Sequence, residues 1–173
     1  MMKYRVFRKI TKISALVLSF TLLLSGCGKK RDGEIGEGPY SCTLSVECGN
    51  LLSHLSDLDP EKVELVPEDG IILPPTTVHF SEGESAFDIL LKAALHDRIH
   101  LEYSESPLYH SMYIEGINNL YEFDAGALSG WMYSVNGEFP GFGSSAYRLS
   151  DGDTVRFLFT CDLGEDLGNP YAE

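Results

Sequence analysis

The spacing of apolar positions changes several times along the 173-residue chain, and each change marks an element. Ile13–Leu24 is a twelve-residue apolar stretch. That is too short for a membrane-spanning helix, which needs ~20 such residues, but suits the core of a signal peptide. From Ser41 to Cys48 the period is two, so Cys42, Leu44, Val46 and Cys48 share one strand face. Asn50 is placed to cap a short helix over Leu51–Leu58, and Pro60-Glu61-Lys62 opens another helical turn. Asp69-Gly70 is a turn signal, Pro74-Pro75 forces an extended segment, and Thr76–Phe80 is rich in strand formers.

The period then lengthens. Phe87, Leu90, Leu91, Ala94 and Leu95 fall at helical spacing, and Ser85 with Asp88 three residues on forms a capping-box pair. This main helix ends near Asp97. Strands resume at Ile99–Tyr103, Ser111–Ile114 and Trp131–Asn136, and Asn136-Gly137 is a strong hairpin signal. A last strand, Thr154–Cys161, follows the turn Ser150–Asp153. Strand, strand, helix and then several strands is an α+β order. It fits a β-grasp-like mixed sheet packed on one main helix, with the first and last strands adjacent and central. No internal repeat of solenoid or propeller length is present.

The apolar stretch follows a basic run and ends in Leu24-Ser25-Gly26-Cys27. That ending resembles the bacterial lipobox, which implies cleavage before Cys27 and lipidation of its thiol. Several acyl chains hold a protein stably at a membrane where one is marginal. Gly28–Pro39 is Gly-rich and charged, a linker composition. The expected organisation is a signal peptide over 1–26, a lipid-anchored flexible linker over 27–40, a folded domain over 41–168 and a tail over 169–173. The expected location is the extracytoplasmic face of a bacterial cell membrane, an oxidising compartment that permits disulfides.

Charge narrows the choice of partner. Thirteen Lys and Arg stand against 26 Asp and Glu, a net charge of −13 that hides two opposed regions. Residues 1–26 carry five basic side chains and no acidic one, whereas from Gly33 onward there are 5 basic and 25 acidic. A nucleic-acid binder needs a basic face to displace counterions, so that class is excluded. The same surplus repels the folded part from anionic headgroups, while Lys29, Lys30 and Arg31 beside the anchor are drawn to them.

The run Ser129-Gly130-Trp131-Met132-Tyr133-Ser134-Val135-Asn136-Gly137 is followed by Tyr147-Arg148-Leu149 and by Asp151-Gly152-Asp153-Thr154-Val155. These stretches resemble the transcobalamin C-terminal-like domain of bacterial surface proteins, catalogued as domain of unknown function 4430. Leu58–Lys62, Val66–Gly70, Ile114–Asp124 and Thr160–Gly164 are similar to lipoprotein members of that group, so the resemblance covers about residues 41–168. It implies cobalamin or another corrinoid as bound ligand and no required cofactor. In the eukaryotic cobalamin carriers a larger helical domain closes over the ligand, and no such helical domain is expected in these 173 residues. Related lipoproteins often carry Cys near Ala93 and in place of Ala125 and Ser144. Here only Cys42, Cys48 and Cys161 accompany Cys27, so at most one bridge forms. If the first and last strands of that fold are parallel, Cys48 and Cys161 lie at matching ends and form the candidate disulfide.

Twelve of the 16 aromatic residues beyond the signal peptide lie between Leu101 and Phe159. Trp131, Tyr133, Phe139, Phe142 and Tyr147 flank the Asn-Gly turn, and with Asn136 they are the candidate ligand-binding residues. The competing reading is core packing, since alternation puts Trp131, Tyr133 and Val135 on one face. His96 and His100 have i,i+4 spacing, but His100 falls past the helix end and no third ligand is placed, so no metal site is expected. The acidic pairs lack calcium-loop spacing. No Gly-x-Ser-x-Gly elbow, phosphate loop or His-Glu-x-x-His stands in the sequence, and a Cys-His pair has no identifiable geometry. The expectation is a non-catalytic binding domain whose partner is a small flat ligand or, alternatively, a surface protein.

Overall fold

A computed structural model describes residues 33–107 and 110–169. Cys27, the signal peptide, most of the linker and residues 170–173 lie outside the described residues. Two sheets and one principal helix make up the domain. The larger sheet has five strands in the order β1 (Glu34–Gly36), β3 (Ile71–Phe80), β2 (Tyr40–Glu47), β8 (Thr154–Thr160) and β7 (Gly130–Val135). The smaller sheet orders β4 (Leu101–Ser106), β5 (Ser111–Ile117) and β6 (Leu120–Tyr121) as an antiparallel meander. β2 and β8 pair in parallel from Thr43↔Thr154 to Glu47↔Leu158 at the centre of the mixed sheet, as the sequence order predicts.

Alternation along β2 works as expected. Cys42, Leu44, Val46 and the following Cys48 are all buried. With Val155, Phe157, Val78 and Phe80, the first three meet the apolar face of α2 (Ala86–Asp97), which contributes Ala86, Phe87, Ile89, Leu90 and Ala93, while Cys48 packs in a second cluster with Leu51, Leu120 and Phe159. The Ser85 hydroxyl accepts from Asp88 N at 3.2 Å, and the Asp88 carboxylate accepts from Ser85 N at 2.8 Å. The helix stops where Arg98 turns left-handed, and His100 lies beyond it.

Several elements differ from the sequence pattern. Leu51–Leu58 is not a helix but two 3₁₀ turns, Gly49–Ser53 and Leu55–Asp57. Asn50 does not cap them, because its amide donates to the Asp166 carboxylate at 2.8 Å, across 116 residues of sequence. The next turn, α1 (Pro60–Val63), is capped by Asp59. Glu34–Gly36 falls in the stretch read as flexible linker, yet it pairs with Thr77–His79 as a parallel edge strand and buries Ile35. Pro74 and Pro75 sit inside β3, where the register against β2 slips between Leu44 and Val46, so the missing donors fall at an irregularity.

The Asn-Gly turn forms, but the hairpin does not. Asn136 and Gly137 both have positive φ, and Val135 and Glu138 exchange backbone hydrogen bonds at 2.9 and 3.0 Å. Pro140 follows at once and cannot donate, so the chain leaves the sheet. β7 instead pairs with β8.

Candidate functional site

β7 is an edge strand, with β8 as its sheet partner and no strand on its other side among the described residues. Asn136 N donates to Thr154 O, which fixes the hydrogen-bonding phase of the β7–β8 ladder. Trp131↔Phe159 and Tyr133↔Phe157 are thereby non-hydrogen-bonded pairs, with side chains close and their own N–H and C=O directed away from β8. The side chains accordingly meet. Trp131 stands edge-on to Phe159 at 5.2 Å, and Tyr133 stacks on Phe157 at 5.9 Å.

Two depressions border this strand and share Tyr113, Trp131 and Met132 as walls. One, of about 290 Å³, is completed by Glu122, Phe123, Leu128, Ser129, Gly130, Thr160 and Leu163. The other, of about 100 Å³, lies against Met112, Ile114, Tyr133, Gly143, Ser144 and Phe157. Together they form a groove between β7 and β5. A third depression of about 370 Å³ flanks Ile35, Ile72 and His96 and is larger. It contains no Phe, Tyr or Trp, which is why the β7 groove is the better ligand surface.

Local hydrogen bonds hold the groove walls. Ser129 Oγ accepts from Ala125 N at 3.0 Å and donates to Gly126 O at 2.9 Å, while Ser129 O accepts from Phe123 N at 3.0 Å. Lys62 anchors the same loop through Asp124 at 2.6 Å. On the far wall, Thr160 Oγ1 accepts from Gly164 N at 2.7 Å, and Leu128 O accepts from Leu163 N at 2.8 Å. Gly164 has φ of +94°, a backbone that side chains strain to adopt, and packs against the Met132 thioether, so glycine eases the closure of this turn on β7. Phe123 and Leu163 present bulky apolar side chains to water from left-handed backbone, at φ of +68° and +48°, and are 62% and 58% exposed. Both strain and exposure oppose folding at these two positions, a pattern that points to use. Tyr113 completes the rim and donates its hydroxyl to Glu122; burial first, then the Glu122 bond and charge, push its pKa up to about 12.

The structure divides the sequence candidates. Trp131 is half-buried, bridges both apolar clusters and donates Nε1 to Leu120 O at 2.8 Å, yet it lines both depressions. Tyr133, Phe142 and Tyr147 come together: Tyr133 donates to Phe142 O at 2.8 Å, and Phe142 stacks on Tyr147 with centroids 6.1 Å apart. Phe142 is exposed and Phe139 half-buried, and neither lines a described depression with Trp131. Asn136 is committed to the fold, its amide accepting from Thr154 N and donating to Asp153, both at 2.9 Å. Tyr113, Phe123, Leu128, Met132 and Leu163 also line the groove, beyond the residues that the aromatic pattern predicts. The available signal was a bulky apolar residue between turn formers, as in Glu122-Phe123-Asp124 and Asp162-Leu163-Gly164.

Cys42, Cys48 and Cys161 are free thiols in the structure, so the candidate Cys48–Cys161 bond is not formed. Register supplies the reason. Glu47 pairs with Leu158, so Cys48 is level with Phe159, and Cys161 lies two residues further on, past the end of β8. Both still touch the same apolar cluster. Burial raises all three thiols, Cys42 and Cys48 to about 12 and Cys161 to about 11, which leaves them poor nucleophiles.

Residues 83–160 match the model of a family described as domain of unknown function (DUF4430), which bears out the resemblance carried by the Gly130–Val155 motifs. Among solved structures, haptocorrin in complex with Cbi aligns at 17% identity and a TM-score of 0.48 over 70% of this chain. This chain spans only 25% of the haptocorrin chain. A Ruminococcus gnavus ATCC 29149 protein provisionally described as metal-binding aligns at 14% identity and a TM-score of 0.40, over 70% of this chain and 96% of its own. Neither likeness is close enough to transfer a ligand. No curated protein matches this chain in sequence.

Proposed function

We propose, from the DUF4430 match and the groove together, that this chain is a non-catalytic binding domain whose ligand surface is the aromatic edge of β7. Cleavage before Cys27 and lipidation of its thiol would hold the domain at the extracytoplasmic face of a bacterial membrane. The acidic surface then keeps it standing off from anionic headgroups. The observation that carries the reading is the pair of depressions sharing Tyr113, Trp131 and Met132, rimmed by solvent-exposed Phe123, Leu128 and Leu163. Apolar walls with a few fixed polar groups are the usual make-up of a ligand site.

The ligand implied by the family resemblance is a corrinoid, a flat ring that could lie against Trp131 and the exposed rim. The groove is open and small, so this domain would cover one side of such a ring. Trp131 is the only tryptophan in the chain, so its emission reports on the groove alone. Cobalamin is titrated into the full chain in detergent, with free tryptophan correcting for absorbance. Saturable quenching at about micromolar ligand supports the corrinoid reading, and no response up to about 1 mM removes it. A second reading, a protein partner, is favoured by the free edge of β7 and by the shallow, exposed character of the rim.

A further inference from the structure

We infer that the occupant of this groove is an extended basic segment of a partner protein, seating one apolar side chain in the depression of about 290 Å³ beside Trp131. The inference rests on the groove being the ligand surface and names its partner class. Charge carries it. Glu122 lines the depression, and Glu115 acts with it on Tyr113, whereas no Lys or Arg lines either depression. From Gly33 onward the chain has five basic residues, and none of them lines either depression. Lys62 pairs with Asp124, Lys92 with Glu84 and Arg156 with Glu47; Arg148 donates to Gly83 O, and Arg98 stands at the C-terminus of α2 and lines neither depression. Against 25 acidic side chains, a second copy of this chain or an anionic bilayer is repelled, while a Lys- or Arg-rich segment is drawn in.

Shape agrees with charge. Phe123, Leu128 and Leu163 surround a hollow roomy enough to admit a large apolar side chain, an arrangement suited to an apolar anchor. The N–H and C=O of Trp131 point away from β8 along the outer edge of β7, so a segment lying along that edge can meet main chain as well as side chains.

The test uses the full chain in detergent and three heptapeptides, acetyl-Lys-Val-Lys-X-Lys-Val-Lys-amide with X as Leu, Phe or Tyr, beside analogues with Glu for every Lys. At least one basic peptide should change Trp131 emission saturably below about 100 µM at low salt, weaken as salt rises, and leave its acidic analogue inactive. Glu122→Gln should weaken it about two- to fivefold. Leu128→Ser and Leu163→Ser, both at exposed positions, should each weaken it about fivefold or more, while Leu95→Ser on α2 leaves it unchanged. No saturable response to any basic peptide up to about 1 mM, equal binding of acidic analogues, or equal loss in Leu95→Ser overturns the inference. Cobalamin in parallel separates the two claims: if it saturates Trp131 while the peptides do not, the groove stands as a ligand surface and the basic segment falls.

Discussion

Asn136 separates a ligand contact from a fold contact, and the two roles respond differently to substitution. In Asn136→Ala the turn keeps φ near +53° without the side chain that tolerates it. Loss of the bond to Thr154 N costs about 1 kcal/mol, and loss of a donor to the buried Asp153 carboxylate about 1.5–2 kcal/mol. Forcing alanine into left-handed backbone adds about 1 kcal/mol. The total is about 3.5–4 kcal/mol, a large share of a domain stability of about 5–15 kcal/mol. Asn136→Gly removes the same bonds but relieves the backbone, so it should lose about 1 kcal/mol less. Urea unfolding of each variant, followed by far-ultraviolet circular dichroism with the slope held in view, reads both numbers. Binding at the groove, measured where the variants are fully folded, should be unchanged. A loss below about 0.5 kcal/mol in both variants, or lost binding with stability intact, would refute the assignment of Asn136 to the fold.

Two further outcomes follow from charge and thiol placement. The Arg156 hydrogen bonds hold Glu47 below its ordinary value of 4.5, so their contribution is present above that pH and disappears as pH falls through the folded value. Arg156→Gln should therefore destabilise by less than about 1 kcal/mol at pH 7, since the pair is partly exposed, and the gap should close in acid. For the cysteines, reaction with a thiol reagent at pH 8 should be slow in the folded chain, with Cys161 first, and should reach three thiols in denaturant. A count of four would remove the lipid on Cys27, and a count of one would restore the Cys48–Cys161 bond.

Local rules carried much of the fold. The Ser85–Asp88 box, the period of α2 and the alternation of β2 are each set within a few residues, so the sequence displays them directly. Elements decided by distant partners are not legible in local sequence. Gly-rich composition around Ile35 hid a strand that exists because β3 offers it an edge. Asn50 has a capping side chain, but Asp166 takes it. The Asn136-Gly137 turn has the dihedral signs its dipeptide demands, yet β8 and not the following residues completes the ladder. The site shows the same division. The aromatic cluster made Trp131 and Tyr133 visible, while Tyr113, Phe123, Leu128 and Leu163 reach the groove from separate loops and strands.

The central claim is that ligand meets this protein along the outer edge of β7. Amide hydrogen exchange of the full chain, mapped with a saturating basic heptapeptide and separately with cobalamin, tests it most directly. Protection should appear at Trp131 and Tyr133 and in the Phe123–Leu128 and Leu163 walls. Protection confined to the Phe139–Tyr147 loop, or to the depression beside Ile35 and His96, would contradict the account.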